Sequence, residues 1–184
     1  MTDEASTTAD EATANADEAT TQTTETPPAD PAVSVVGPDD GERIVLGTTL
    51  MRVLEDGSNT GHRLGMAESV IAPHTPGPPQ HRHAQHDEGF CVIAGTVRFT
   101  VGETDHDAAP GTLVMVPAGA PHTFANVTGQ PAVMLSTFTP DLYVQYFREL
   151  RDSLSEGRPL TPEASIAAMR RFATEPAAGV RPSS

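Results

Sequence analysis

The chain has 184 residues and is strongly acidic, since 25 aspartates and glutamates against 11 basic residues give a formal net charge of −14. This length allows one domain with a substantial core and some additional segments. Every basic residue is an arginine and the sequence has no basic patch, which argues against a nucleic-acid-binding protein.

The expected compartment follows from the cysteine content and the apolar pattern. Cys91 is the only cysteine, so an intrachain disulfide is excluded and a reducing compartment is favoured. No apolar run approaches the length that spans a membrane, and the N-terminus has neither the basic nor the apolar region of a signal peptide. We therefore predict a cytoplasmic protein that binds neither a membrane nor nucleic acid.

Residues 1–32 differ in composition from the rest of the chain. Eight of the 25 acidic residues lie there, with no basic residue and almost no large apolar side chain. Such a segment cannot bury enough apolar surface to offset the entropy lost on ordering. We predict a disordered acidic tail that has no partner.

Residues 33–138 contain short apolar segments separated by turn residues. This spacing is typical of an all-β sandwich or barrel. The segment 73–79 contains four prolines and is predicted to be a loop, because proline cannot donate a hydrogen bond to a central strand. The predicted strands lie within residues 43–54, 62–72, 89–94, 96–101, 112–116, 122–127 and 132–138.

After residue 138 the apolar residues recur at helical spacing. Thr139 is predicted to be the N-cap of a first helix, which Gly157 ends, and Thr161 is predicted to be the N-cap of a second. The apolar stripe of the first helix consists of Tyr143, Tyr146, Phe147, Leu150 and Leu154.

The C-terminal region is divided on the same pattern. We assign residues 139–175 to the two helices and residues 176–184 to a flexible tail, and we expect fraying from Ala173 onward. The helices are predicted to pack outside the barrel or across its mouth. Their apolar stripe, with its two tyrosine hydroxyls, suits either the rim of a pocket or a subunit interface.

Two separate segments of the sequence carry candidate metal ligands. His81 and His83 point to the same side of an extended strand, and two neutral imidazoles side by side favour a divalent transition metal. Glu88 has the wrong parity for the same straight strand, so a bend over residues 84–87 must bring it back as the third ligand. A fourth ligand must come from elsewhere in the chain, and His122 is the best-placed candidate.

These residues and their spacing resemble the two motifs of the cupin superfamily. The first motif is G-x5-H-x-H-x(3,4)-E-x6-G. Its opening glycine is displaced here, since position 75 is Thr and the nearest glycine is Gly77; the residues that match are His81, His83, Glu88 and Gly95. The second motif, G-x5-P-x-G-x2-H-x3-N, is complete and consists of Gly111, Pro117, Gly119, His122 and Asn126.

The resemblance implies a fold, a site and a homodimer, because barrels of this family commonly pair. The competing hypothesis for the C-terminal helices is a mobile lid over the metal pocket. The fold would be a single all-β cupin domain, the jelly-roll or double-stranded β-helix barrel, with a short C-terminal helical appendage. The site would bind one divalent transition metal through His81, His83, Glu88 and His122. Mixed nitrogen and oxygen ligands accept Fe, Mn, Ni, Co, Cu or Zn, so the sequence does not select the ion.

Two further residues near the motifs have less specific interpretations. His86 lies in the expected bend. We favour a histidine that faces solvent there over one that contacts a metal ligand or relays a proton. Asn126 fits a backbone-tying role as well as a catalytic one.

The residues expected beside the ligands are mostly apolar, which favours a small organic substrate, including an aromatic one, with a chelating oxygen. The size and ligand set resemble small cupins of the quercetin-dioxygenase-like group. That resemblance implies an oxygenase in which Glu88 is both ligand and catalytic base. The alternatives are a non-catalytic small-molecule-binding barrel, and an isomerase or decarboxylase that uses the same site without O2.

Overall fold

A computed structural model describes residues 33–177 of the chain. The predicted acidic tail at 1–32 and residues 178–184 of the predicted flexible tail lie outside this range. Within it, no helix combines the length and the apolar character needed to cross a membrane.

The described residues form eleven strands and two helices. The predicted all-β class with a short helical appendage is confirmed. In chain order the elements are β1 Glu42–Leu46, β2 Thr49–Asp56, β3 Gly65–Ile71, β4 His81–His83, β5 Asp87–Ala94, β6 Val97–Val101, β7 Thr104–Ala108, β8 Leu113–Val116, β9 His122–Ala125, β10 Ala132–Thr139, α1 Leu142–Ser155, α2 Pro162–Arg171 and β11 Thr174–Pro176.

The strands form two antiparallel sheets. The larger sheet has the order β1-β2-β3-β10-β5-β8, and the smaller has the order β11-β4-β9-β6-β7. Consecutive strands β4 and β5 belong to different sheets. The bend between them, predicted from the parity of Glu88, therefore carries the chain from one sheet to the other.

The core has two parts. The first lies between the sheets and combines side chains of β3, β5 and β10 with side chains of β6 and β7; its largest members are Phe90, Phe99, Ile71 and Met134. The second lies between the larger sheet and the two helices, and it includes Ile44, Met51, Phe138, Tyr143 and Met169. The helices thus cover sheet surface of their own chain.

The start of α1 differs from the prediction. Thr139 is the last residue of β10, where it pairs with Asp87 of β5, so it is not the N-cap. Asp141 occupies the N-cap position, without a side-chain cap hydrogen bond. Pairing to β5 holds Thr139 in the sheet against its local capping preference. Gly157 follows the helix with a φ of 75°, a conformation that glycine adopts without strain, and its N–H bonds to the carbonyl of Leu154.

The second helix begins as predicted, because the side chain of Thr161 accepts a hydrogen bond from the N–H of Ala164 at 3.2 Å. The expected fraying from Ala173 is wrong for the residues that follow it. Residues Thr174–Pro176 pair with β4 as an added edge strand, and Thr174 is completely buried. The apolar pattern of three residues is too short to reveal such a strand.

Candidate metal centre

The four predicted ligands come together between the two sheets. His81 and His83 are the buried ends of the three-residue strand β4, whose middle residue Arg82 is exposed. His122 opens β9 and is the register partner of His81. Glu88 approaches from β5 in the opposite sheet, and all four side chains are buried.

Their donor atoms are close enough to share one ion. One ligand atom from each of the four residues lies within 4.8 Å of the others. The Oε2 atom of Glu88 is 3.0 Å from Nε2 of His122 and 3.1 Å from Nε2 of His83. The Nε2 atom of His83 is buried and makes no hydrogen bond despite that proximity. A buried nitrogen without a partner is costly, and an ion would satisfy it.

Hydrogen bonds on the far side of each ring orient the three imidazoles. His81 donates from Nδ1 to the carbonyl of Pro79 at 2.9 Å, and His122 donates from Nδ1 to the carbonyl of Ala120 at 3.1 Å. In neutral rings, this leaves the Nε2 lone pairs facing the centre.

The third imidazole is oriented by the added strand β11. The hydroxyl of Thr174 donates to the carbonyl of Phe172 at 3.1 Å, so its oxygen accepts from Nδ1 of His83 at 2.8 Å. Three imidazoles and one carboxylate therefore converge, with Nε2 of His122 at hydrogen-bond distance, 3.0 Å, from Oε2 of Glu88. Such a set of acceptors fits a divalent cation.

The electrostatics keep the ligands in the forms that bind metal. Burial, together with the neighbouring rings of His122 and His83, lowers the pKa of His81 to about 3. Burial also lowers the pKa of His83. For Glu88, burial acts to raise the pKa, but the surrounding histidines outweigh it and hold the pKa well below its usual value.

The structure corrects the interpretation of His86. The sequence favoured a solvent-facing turn histidine, but His86 is only 1% exposed. Its ring lies 4.0 Å from that of His83 and 4.9 Å from that of Tyr143, and its Nε2 atom is 3.5 Å from Oε1 of Glu88. The bend turns inward because it must carry the chain between the sheets, and neither the residue type nor the spacing signals this.

Helix α1 supplies a site residue that sequence reasoning placed only in an apolar stripe. The Tyr143 ring lies 4.6 Å from that of His83 and stacks at 6.4 Å on that of His81. Burial raises the pKa of Tyr143 well above its usual value and raises that of Tyr146 to about 12. Both phenols therefore stay neutral at ordinary pH.

A pocket of about 620 Å³ adjoins the four ligands, and His81 and Glu88 form part of its wall. Strands β2, β3, β5 and β10 each contribute one apolar and one polar residue; the polar ones are Thr49, Ser69, Glu88 and Ser136. The helical side closes the pocket with Tyr143, Tyr146, Phe147, Leu150, Leu160 and Met169. Helix α1 is therefore both a core element and a wall of the pocket.

Two motif residues have structural roles. The side-chain amide of Asn126 donates to the carbonyls of Ile71 and Gln130, and its oxygen accepts from the N–H of Thr128, so its contacts tie backbone segments together. Gly77 lies against β9, and a Cβ atom there would come within 1.5 Å of the carbonyl oxygen of Phe124. This close approach explains why a glycine stands in the loop before β4.

Comparison with protein families gives one match within the chain. A family model described as "Cupin domain" matches residues 67–138, which run from β3 to β10 and contain all four candidate ligands. No curated protein sequence matches the chain significantly.

Solved structures with a similar fold come from several bacteria. The polyketide cyclase RemF from Streptomyces resistomycificus has a TM-score of 0.53 and 21% identity, over 59% of this chain and 80% of that one. A sugar phosphate isomerase of the cupin superfamily from Silicibacter pomeroyi has a TM-score of 0.51 and 23% identity, over 58% and 75%.

A predicted oxalate decarboxylase from Thermotoga maritima has a TM-score of 0.53 and 18% identity, over 58% of this chain and 99% of that one. At these identities the similarity shows a common fold and not a common reaction. The region covered leaves about two fifths of this chain unmatched.

Proposed function

We propose that the chain, whose residues 67–138 match the cupin family model, is a metal-dependent oxygenase of the quercetin-dioxygenase-like kind. Its substrate would be a small aromatic molecule with an oxygen atom that can bind the metal. His81, His83, Glu88 and His122 would hold one divalent transition ion. When bound, the ion supplies Lewis acidity toward that oxygen atom.

The pocket beside the four ligands carries this proposal. Its volume of about 620 Å³ accommodates a molecule of several rings, and most of its wall is apolar. Among the described residues that line it there is no arginine or lysine, and Glu88 is the only acid. A phosphate or polycarboxylate would be buried there without a cationic side chain, which costs free energy, whereas a neutral aromatic ring would not.

The residues of this chain would bind, orient and deprotonate the substrate. Glu88 lines the pocket as an ionised carboxylate, so it can accept the proton of a substrate hydroxyl group. Tyr143 and Tyr146 remain neutral and present phenol groups at the wall opposite the sheet. In a dioxygenase reaction both atoms of O2 enter the substrate, so no external reductant is required.

Oxygen uptake tests the proposal. The protein would be reconstituted separately with each of the six candidate ions and offered flavonols and catechols in an oxygen electrode. We expect O2 consumption equal to substrate loss for at least one ion, and its disappearance in His83→Ala, which removes one ligand while leaving the barrel folded. Saturable binding of ion and substrate without any O2 uptake would contradict the oxygenase assignment.

A second candidate function is proton transfer without O2, as in an isomerase, cyclase or decarboxylase. The observation that favours it is the position of Glu88, which is the one carboxylate that faces the pocket among the described residues and has a lowered pKa. The same panel under anaerobic conditions separates the two reactions, because only this one would still form product. Binding without any product would indicate a non-catalytic barrel.

A further inference from the structure

His86 is a buried histidine that the proposed metal site does not use as a ligand. It lies between β4 and β5, five residues after His81 and two before Glu88. Neither ring nitrogen has a hydrogen-bond partner among the described residues, although the side chain is fully enclosed. An enclosed imidazole without any partner is destabilising, so a group that binds it in the functional state is expected.

The two carboxylate oxygens of Glu88 have different surroundings. Oε2 faces the Nε2 atoms of His122 and His83, which are members of the candidate ligand set. The contact to His86 is made by the other oxygen, since Oε1 is 3.5 Å from Nε2 of His86. A shift of a few tenths of an ångström would bring this pair to hydrogen-bond distance.

The substrate pocket does not offer His86 another partner. His81, Glu88 and Tyr143 line that pocket, whereas His86 is absent from its wall as far as residues 33–177 define it. The rings of His83 and Tyr143 lie 4.0 and 4.9 Å from the His86 ring and 4.6 Å from each other, so the three rings form one packed group. The Nε2 atom of His86 is thus 3.5 Å from Glu88, and its ring is not part of the pocket wall that the described residues form.

We propose that His86 is a positioning residue for Glu88. In the metal-loaded protein its Nε2–H donates a hydrogen bond to Oε1, so that the carboxylate is turned with Oε2 toward the ion. The inference rests on the metal site of the proposed function but not on the reaction. Outer partners of this kind commonly change metal affinity by about 10- to 100-fold when they are removed.

Zinc affinity measures the effect of the hydrogen bond. Competition with a chelator at about pH 8, where exposed imidazoles are neutral, would compare the unchanged protein with His86→Phe and His86→Gln. We expect His86→Phe, which fills the space without a donor, to weaken zinc binding by about 10- to 100-fold. His86→Gln retains an N–H donor and should recover most of the affinity. His106→Phe is the matched control, because His106 is exposed on β7.

A second measurement keeps the inference testable if His86→Phe does not fold. Long-range ¹H–¹⁵N spectra of the zinc-loaded unchanged protein report which nitrogen of His86 carries hydrogen, and we expect Nε2–H. A bare Nε2 atom, or zinc binding in a folded His86→Phe protein within twofold of the unchanged protein, overturns the inference. A protein that does not bind zinc or any other candidate ion overturns this inference and the proposed function together. If oxygenase activity is absent but zinc affinity depends on His86 as expected, the proposed reaction is wrong and the inference about His86 is supported.

Discussion

Thr174 connects the C-terminal strand to a candidate ligand 91 positions earlier in the chain. Its hydroxyl oxygen accepts the Nδ1–H of His83 at 2.8 Å and is itself held by the carbonyl of Phe172. The contact selects the His83 tautomer in which Nε2 is free for an ion. A residue outside the matched cupin segment therefore helps to prepare the metal site.

Replacement of Thr174 by valine should weaken metal binding by about 10-fold, because the tautomer and orientation of His83 are no longer enforced. It should also destabilise the protein by about 1–3 kcal/mol, since a buried Nδ1–H loses its acceptor. Chelator competition and thermal unfolding would measure both effects. Thr174→Ser keeps the hydroxyl and is the control. Equal metal affinity in the valine and serine variants would show that the hydroxyl is unimportant.

The stability of the metal-free protein should fall on acidification. The pKa of His81 in the folded protein is about 3, below the value of about 6.5 for an exposed imidazole. The unfolded chain therefore binds more protons between these values, and stability decreases as pH falls from about 6.5 toward 3. The lowered pKa of Glu88 acts in the same direction at pH values below its usual range.

Urea unfolding of metal-free protein between about pH 7 and 4 would measure this dependence. His81→Asn removes the titrating ring and should flatten the curve. An unchanged protein whose midpoint does not move over this range would contradict the assignment of neutral, buried imidazoles.

Helix α1 is attached to the larger sheet by an ion cluster as well as by its apolar face. Arg148 donates to Glu42 of β1 and to Asp56 of β2 at 2.7–2.8 Å, and Arg151 also contacts Glu42. The Arg148 and Ser58 contacts lower the pKa of Asp56 to about 2. Because the same helix forms a wall of the pocket, this cluster helps to hold that wall in place.

Arg148→Met should destabilise the protein by about 1 kcal/mol, a value kept small because all three side chains are partly exposed to solvent. The lowered pKa of Asp56 means that this contribution is present above the usual carboxyl pKa of about 3.9 and is lost as pH falls toward 2. The difference between variant and unchanged protein should therefore shrink over that range in thermal unfolding. Arg170→Met, at an exposed position of α2, is the control. A difference that stays constant with pH would exclude the ion cluster as its source.

At the scale of the whole molecule, the outer face of the larger sheet carries several exposed apolar side chains among residues 33–177. Leu113 is 62% exposed and Met115 59% exposed on β8, and Ile93 is 52% exposed on the neighbouring strand β5. Strand β8 is also an edge of its sheet, and an uncovered apolar edge favours association. We expect the homodimer predicted from the sequence to use this face, and not α1, which packs on its own chain.

The double substitution of Leu113 and Met115 by glutamate should give a monomer, because four like charges would face each other across a twofold interface. Sedimentation equilibrium of the metal-loaded protein would measure the mass. Val127→Glu changes a comparably exposed apolar residue elsewhere and should leave the mass unchanged. A dimer that survives the double substitution would place the interface on another surface.

The sequence was sufficient for the features that depend on local pattern. Strand content follows from the spacing of apolar segments and turn residues. The four candidate ligands follow from side-chain parity on β4 and from the two motifs, since His81 and His83 lie on one face of an extended strand whatever packs around it. The bend before Glu88 was likewise required by parity alone. Side-chain parity and turn positions depend on a few neighbouring residues, whereas His122 was identified by the second motif.

Only the tertiary structure decided the surroundings of that ligand set. His86 is buried because the bend passes between two sheets, Thr174 reaches His83 because a three-residue strand pairs with β4, and Tyr143 enters the site because α1 packs over the pocket. Each contact joins segments whose pairing depends on the packing of the whole chain. The packing of the whole chain, and not a local preference, therefore places His86 and Thr174 beside the candidate metal centre, although the sequence predicted a surface histidine and a frayed end.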